Sequence, residues 1–144
     1  MNTIMLFLHI IGAVGMGIYA ILPFVIGKFN QVSGEAQGGL ASGLVAAGKI
    51  GQYSLGIQFI TGGYLLTAGG KLGYTVPWII IVIVIFLAMG ALSGIIQGPL
   101  KKITVEAASG QNVSAHISKV RTLSTILFVL FIVIIWFMQD PWYA

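Results

Sequence analysis

The chain has no cysteine and only three carboxylates, Glu35, Glu106 and Asp140. Without cysteine there is no disulfide, no thiolate metal site, no iron–sulfur cluster and no thiol nucleophile, whatever the redox compartment. The three carboxylates are far apart in sequence, so none has a partner for paired acid–base work. Charge as a whole is scarce. Charged residues make up 7% of the chain, against about 25% in soluble domains, which excludes an ordinary soluble fold. No basic patch interleaved with aromatics is present, and no nucleic-acid partner is expected. The glycine-rich stretch "AGGKLG" lacks the flanking strand that a phosphate loop needs and reads as a short turn. No Ser-His-Asp arrangement is visible, and an enzyme is not the favoured reading.

What the chain has instead is apolar length. It is 144 residues long, enough for one domain, and 58% hydrophobic, with a mean hydropathy of +1.02. A bilayer span needs roughly 20 apolar residues, and four stretches qualify, at about 3–27, 48–69, 76–98 and 121–139. Each is continuous rather than alternating, which favours helices over barrel strands. The first lacks a basic n-region and a small-x-small exit, so it reads as a span and not a signal peptide. The fold expected is an all-α membrane protein, a four-helix antiparallel transmembrane bundle in one domain covering 1–144.

Orientation follows from the loops. Lys28 and Lys49 bracket the connection at 28–47, and Lys101, Lys102, Lys119 and Arg121 bracket the one at 99–120. Only Lys71, of the seven basic residues, falls elsewhere. The positive-inside rule then puts both termini outside (N-out/C-out) and both long loops in the cytoplasm, as in a bacterial-type plasma (inner) membrane. Trp78, Trp136, Trp142 and Tyr143 suit an outer aromatic belt. The stretch "NQVSGEAQGGLASG" reads as a flexible linker, and Pro99 as a stop for the third helix. Asn112 heads an Asn-x-Ser pattern that carries no weight in a cytoplasmic loop.

Small and polar residues inside the spans mark the contacts. Gly90, Gly94 and Gly98 form an uninterrupted GxxxGxxxG; Gly12, Ala13, Gly15 and Gly17 crowd the first helix; Gly43, Ala47 and Gly51 keep the same spacing. Such residues let helices approach closely. Packing within one bundle explains them more simply than a homo-oligomer or membrane-partner face, because four helices already offer partners. Ser54, Gln58 and Thr61 fall at i, i+4 and i+7 and share a face. They suit interhelical hydrogen bonds, worth about 0.6 kcal/mol per pair, or the lining of a polar path or pocket.

His9, in "LFLHIIGAVGMG", heads the candidate sites. It lies about six residues from the outer end of its helix, near 9 Å at the helical rise. Tyr64 and Met138 reach a similar level on the second and fourth helices. Three readings stay open for it: a neutral hydrogen-bonded group, a proton-transfer group, or a ligand to haem or a metal ion. His116 belongs to the opposite side, most of a roughly 30 Å core away, so one haem cannot join the two histidines. It reads as a solvated loop residue.

The opening "LHIIGAVGMG" resembles the start of a four-helix superfamily that includes copper-resistance D-type membrane proteins and HemJ-type protoporphyrinogen oxidases. "TGGYLLTAGGKLGY…PWI", "GALSGIIQGPLKKI" and "RTLSTILFVLFIVIIWFMQDP" are similar to an uncharacterised bacterial integral membrane family within it. The resemblance covers most of the chain. It implies a functional N-terminal histidine, mapping to His9, and haem or metal handling. The oxidases also rely on a lysine early in the third helix. Here Trp78 is followed by "IIIVIVI", and about Val82 stands in its place, so porphyrinogen oxidation is not expected. The function expected is a small binding or transport protein, for haem, a metal ion or a proton, with an outer-leaflet site at His9, Tyr64, Met138, Gln58 and Thr61. The alternative is a non-catalytic scaffolding protein acting through Gly90, Gly94 and Gly98.

Overall fold

A computed structural model describes residues 2–67 and 73–140. They form five α-helices and one 3₁₀ turn: α1 (Asn2–Gly15), α2 (Ile18–Ile26), the 3₁₀ turn Gly27–Gln31, α3 (Gly34–Thr67), α4 (Val76–Ala108) and α5 (Ser114–Gln139). α1, α2 and the turn together make one rod, so the architecture has four long members.

The break in that rod has a local cause. Around Met16 the backbone tightens to i→i+3 bonds: Gly17 N–H donates to Val14 O, Tyr19 N–H to Met16 O and Ala20 N–H to Gly17 O, each at 3.0 Å. A β-carbon at residue 17 would lie 2.9 Å from the Val14 carbonyl, so this turn needs glycine.

Three members are long and apolar enough to cross a membrane: 3–31, α4 and α5. The surface is that of a membrane protein. Phe7, Val14, Phe24, Ile60, Ile80, Val84, Leu87 and Val129 all face outward, a density of exposed aliphatic and aromatic side chains that water does not tolerate. The fourth expected span, α3, corrects the sequence reading in composition. Lys49, Gln52, Ser54, Gln58 and its many glycines dilute it, although Ile50, Tyr53, Phe59 and Ile60 are exposed along it.

α3 packs against α1 and α4, α4 against α5, and α5 against α2. Residue numbers rise on one helix as they fall on its neighbour: Gly62, Gln58, Ser54 and Gly51 meet His9, Gly12, Gly15 and Tyr19 in turn. Trp78 Nε1–H donates to Phe137 O at 2.9 Å, tying the start of α4 to the end of α5. Tyr74 stacks on Trp78 at 4.6 Å, and Phe24 meets Phe128 edge to face at 5.9 Å across α2 and α5.

The two long loops expected at 28–47 and 99–120 are mostly helix. Phe29 is fully buried, Gln37 Nε2–H donates to its carbonyl at 3.1 Å, and α3 begins at Gly34, whose φ of +58° suits glycine. The Gly- and Ala-rich stretch is helical because Gly38, Ala41, Leu44 and Gly48 form its buried face. Its small residues permit close contact: a β-carbon at Gly38 would lie 2.9 Å from Thr104 O. Pro99 does not end α4. It costs one backbone donor, while Leu100, Ile103 and Ala107 beyond it are buried and hold the helix on course. Only 109–113 separates α4 from α5. There Gly110 takes a φ of +78°, and Asn112 Oδ1 accepts from Ser114 N–H at 2.9 Å, a turn that launches α5. The expected end of the second helix at 69, Lys71, Trp142 and Tyr143 lie outside the described residues.

Candidate functional site

The inner face of α3 carries polar side chains at helical spacing, and the facing helices meet them with glycine. Gln58 Oε1 sits where a β-carbon of Gly12 would be, 2.6 Å from that position, and Ser54 Oγ fills the equivalent space at Gly15. The relation reverses further along. The Tyr19 hydroxyl lies 2.7 Å from the β-carbon position of Gly51, and Gln97 Nε2 occupies the notch at Gly48. These are polar knobs in glycine notches, a contact that brings backbones close in lipid. Gln97 Nε2–H also donates to Val45 O at 3.4 Å. Ser54 Oγ–H donates to Ile50 O at 2.8 Å.

His9 closes the series at the end of the bundle where α1 begins and α5 ends. Its Nδ1 lies 2.8 Å from Thr61 Oγ1. The Thr61 hydroxyl donates its own proton to Ile57 O at 2.7 Å, so toward His9 it can only accept. The imidazole therefore carries its proton on Nδ1, an assignment made from the network. Gly62 supplies the seat: its β-carbon position is 3.4 Å from His9 Cε1. Nε2 has no partner among the described residues. An imidazole held through Nδ1–H with Nε2 bare is the pose in which histidine ligates a metal or accepts a proton.

Two cavities flank the ring. One, of about 470 Å³, lies between α1 and α5 with Gln58 and Phe86 as its floor. His9, Ala13, Ile134 and Met138 are among its walls. The other, of about 490 Å³, lies between α1, α3 and the start of α4, with Leu66, Tyr74, Trp78 and Met138 among its walls. His9 and Met138 line both. Among the described residues, nothing charged lines either one.

Of the residues singled out in the sequence, His9, Gln58 and Met138 share the first cavity, and Thr61 holds His9 from behind. Tyr64 is half-buried, lines neither cavity and makes no bond to His9. Gly90, Gly94 and Gly98 do not pack within the chain as expected. Nothing lies within 4 Å of the β-carbon positions of Gly90 and Gly98, and Gly94 meets only Gln52 Nε2 at 3.9 Å. α4 turns Ile85, Met89, Ser93 and Ile96 inward, and that leaves the glycines on its exposed side. His116 is not a free loop residue either. Its Nε2 lies 2.9 Å from Glu106 Oε2, a pair that links α4 to α5. No group of three or more His, Asp or Glu side chains that could hold a metal occurs among the described residues.

Sequence reading missed the glycine notches and the α1–α5 cavity. The signal for the notches was present: Gly12 and Gly15 on one helix and Gly48 and Gly51 on another, each spaced to meet a polar residue opposite. Comparison with protein-family models, with curated proteins and with solved structures finds no match.

Proposed function

We propose that this is a small-ligand binding or transport protein, a four-helix antiparallel transmembrane bundle with both termini outside, whose site is the outward-lying nitrogen of His9. The observation that carries it is the Thr61 hydroxyl. By accepting from Nδ1 it fixes the ring and leaves Nε2 bare beside two cavities. A merely structural histidine in an apolar setting tends to have both nitrogens engaged, since an unmade hydrogen bond costs about 1–3 kcal/mol.

The residues present fit iron or a soft metal in one respect. The His9 imidazole and the Met138 thioether are both ligands for haem iron or a soft metal ion, and both line the same two cavities. They do not fit a hard divalent cation, which requires several oxygen ligands. A bound haem or soft metal would supply redox chemistry; the chain itself supplies an oriented imidazole and an apolar enclosure.

The test is an absorption titration with haemin and a ¹⁵N-histidine NMR spectrum of detergent-purified protein, in parallel with His9→Ala. A His9-dependent Soret band, or a His9 Nε2 resonance that moves with haemin, with Cu(I) or with protons, is the expected result. An Nε2 resonance indifferent to all three, with no His9-dependent band, overturns the reading.

A second reading has its own support. Gly90, Gly94 and Gly98 offer an open, outward small-residue face, the kind by which membrane helices of separate chains associate. On that reading Gly94→Leu abolishes self-association measured by crosslinking in detergent and leaves the His9 readouts intact.

A further inference from the structure

We infer that the cavity between α1 and α5 is a lateral binding site for a neutral, hydroxyl-headed membrane lipid, of the isoprenoid-alcohol or quinol class, whose hydroxyl sits between His9 and Gln58. This rests on the reading that His9 presents a ligand-binding nitrogen. The first observation is Gln58. It is only 5% exposed, it lines the cavity, and its Oε1 has no hydrogen-bond partner among the described residues. Oε1 is lodged against Gly12, so the group left to a ligand is the amide N–H, and a hydroxyl that accepts from it recovers part of the about 1–3 kcal/mol that an unmade buried hydrogen bond costs. The second observation is the His9 tautomer, which leaves Nε2 an acceptor along the same cavity wall.

The lining selects the class. A hydroxyl donates to Nε2 and accepts from the Gln58 amide, which matches one head group to two protein groups. His9 bonds Thr61, three residues or about 4.5 Å along the axis of α3 from Gln58, so the two side chains reach the cavity at neighbouring levels. Among the described residues no Lys or Arg lines the cavity, so a phosphate or carboxylate head would be buried without a counter-ion there, a costly placement. The walls below are apolar: Ala13, Met16, Phe131 and Ile134. From His9 to Met16 the cavity extends about 10 Å at the helical rise, room for the first part of a hydrocarbon tail. Val14 and Ile135 line it and are exposed on the lipid-facing surface, so the molecule arrives from the bilayer, sideways.

The experiment is photolabelling of the full chain in detergent with hexadecanol bearing a mid-chain diazirine, with adducts mapped by peptide mass spectrometry. The expected result is saturable labelling of residues 10–16 and 131–139, competed by farnesol or decyl hydroquinone and not by hexadecane or palmitate. Whichever of the first two competes better identifies the source, alcohol or quinol. His9→Phe and Gln58→Leu each weaken labelling about fivefold to tenfold, the loss of one hydrogen bond of about 1–1.4 kcal/mol. Ala13→Phe fills the cavity mouth without touching either polar group and abolishes labelling. A phosphatidylcholine probe that labels the same residues equally, or competition by hexadecane and palmitate, makes the cavity ordinary bulk-lipid surface and overturns the inference. Labelling unchanged in both His9→Phe and Gln58→Leu overturns it too. Neither failure touches the His9 spectroscopic readouts, and an indifferent Nε2 resonance leaves the labelling pattern to be read independently.

Discussion

Thr61 sets both the pose and the proton of His9 with one oxygen. It accepts from Nδ1 at 2.8 Å and donates to Ile57 O at 2.7 Å, and at 3% exposure it has no solvent alternative. Thr61→Val keeps the shape and removes the oxygen. The ¹⁵N spectrum should then lose its fixed Nδ1–H pattern, and affinity for any ligand held by Nε2 should fall about 10- to 100-fold, as for the loss of an orienting partner. Thr61→Ser restores both. Equal spectra for the valine and wild-type proteins would show that Thr61 does not hold the ring. The glycine notches allow a second test at this scale. A β-carbon at Gly15 collides with Ser54 Oγ, whereas one at Gly43 meets nothing within 4 Å. Gly15→Ala should destabilise the fold by about 1–3 kcal/mol through overpacking, read by denaturant unfolding in mixed micelles. Gly43→Ala should be neutral or slightly stabilising, since alanine is the better helix former by up to about 1 kcal/mol. Equal effects at the two positions would remove the notch account.

At the scale of the element, α3 shows what composition hides. Its first half, 34–47, reads as a linker because glycine, alanine and serine dominate it. Gly38 and Ala41, with Leu44 and Gly48, make the buried face of a helix, and Gly38 packs directly against backbone, at Thr104 O. Low complexity marked close packing here, not freedom. α4 teaches the converse lesson about Pro99. A proline ends a helix when nothing beyond it has a place to pack, and here Leu100, Ile103 and Ala107 do. The apolar runs were legible because lipid demands length and hydropathy, but α3, α4 and α5 each extend well beyond the runs that marked them. The polar stripe Ser54–Gln58–Thr61 was legible because it obeys helical spacing. The cavity was not, since it depends on α1 and α5 standing apart while α1 meets α3 and α2 meets α5, a tertiary fact with no local signal. A register test separates helix from linker. One alanine inserted after Gly43 rotates the stretch before it by about 100° relative to the rest and takes Gly38 and Ala41 off α4. The cost should match a core truncation, roughly 2–5 kcal/mol, seen as loss of a monodisperse peak in size-exclusion chromatography. The same insertion after Gly110, in the exposed turn, should be tolerated. Tolerance at both places would return 34–47 to the status of a linker.

At the scale of the whole molecule, the two ends of the bundle differ in kind. His9, Met138 and Gln139 line one cavity, so α1 begins and α5 finishes at the same end. Lys101, Lys102, Lys119 and Arg121 gather at the other end, where Glu106 and His116 join α4 to α5 at 2.9 Å. On the proposed topology, which follows the rule that cations near span ends stay on the cytoplasmic side, the His9 end meets the outer face and the basic end the inner one. The absence of cysteine makes this directly measurable, because each introduced thiol is the only one in the chain. Thr3→Cys and Ser109→Cys place thiols at opposite ends, both at exposed positions. In intact cells a membrane-impermeant maleimide should label Thr3→Cys and spare Ser109→Cys, and permeabilised cells should label both. The reverse pattern would turn the molecule over. The His9 site would then open on the inner leaflet, and those four cations would face outward against the rule that placed them.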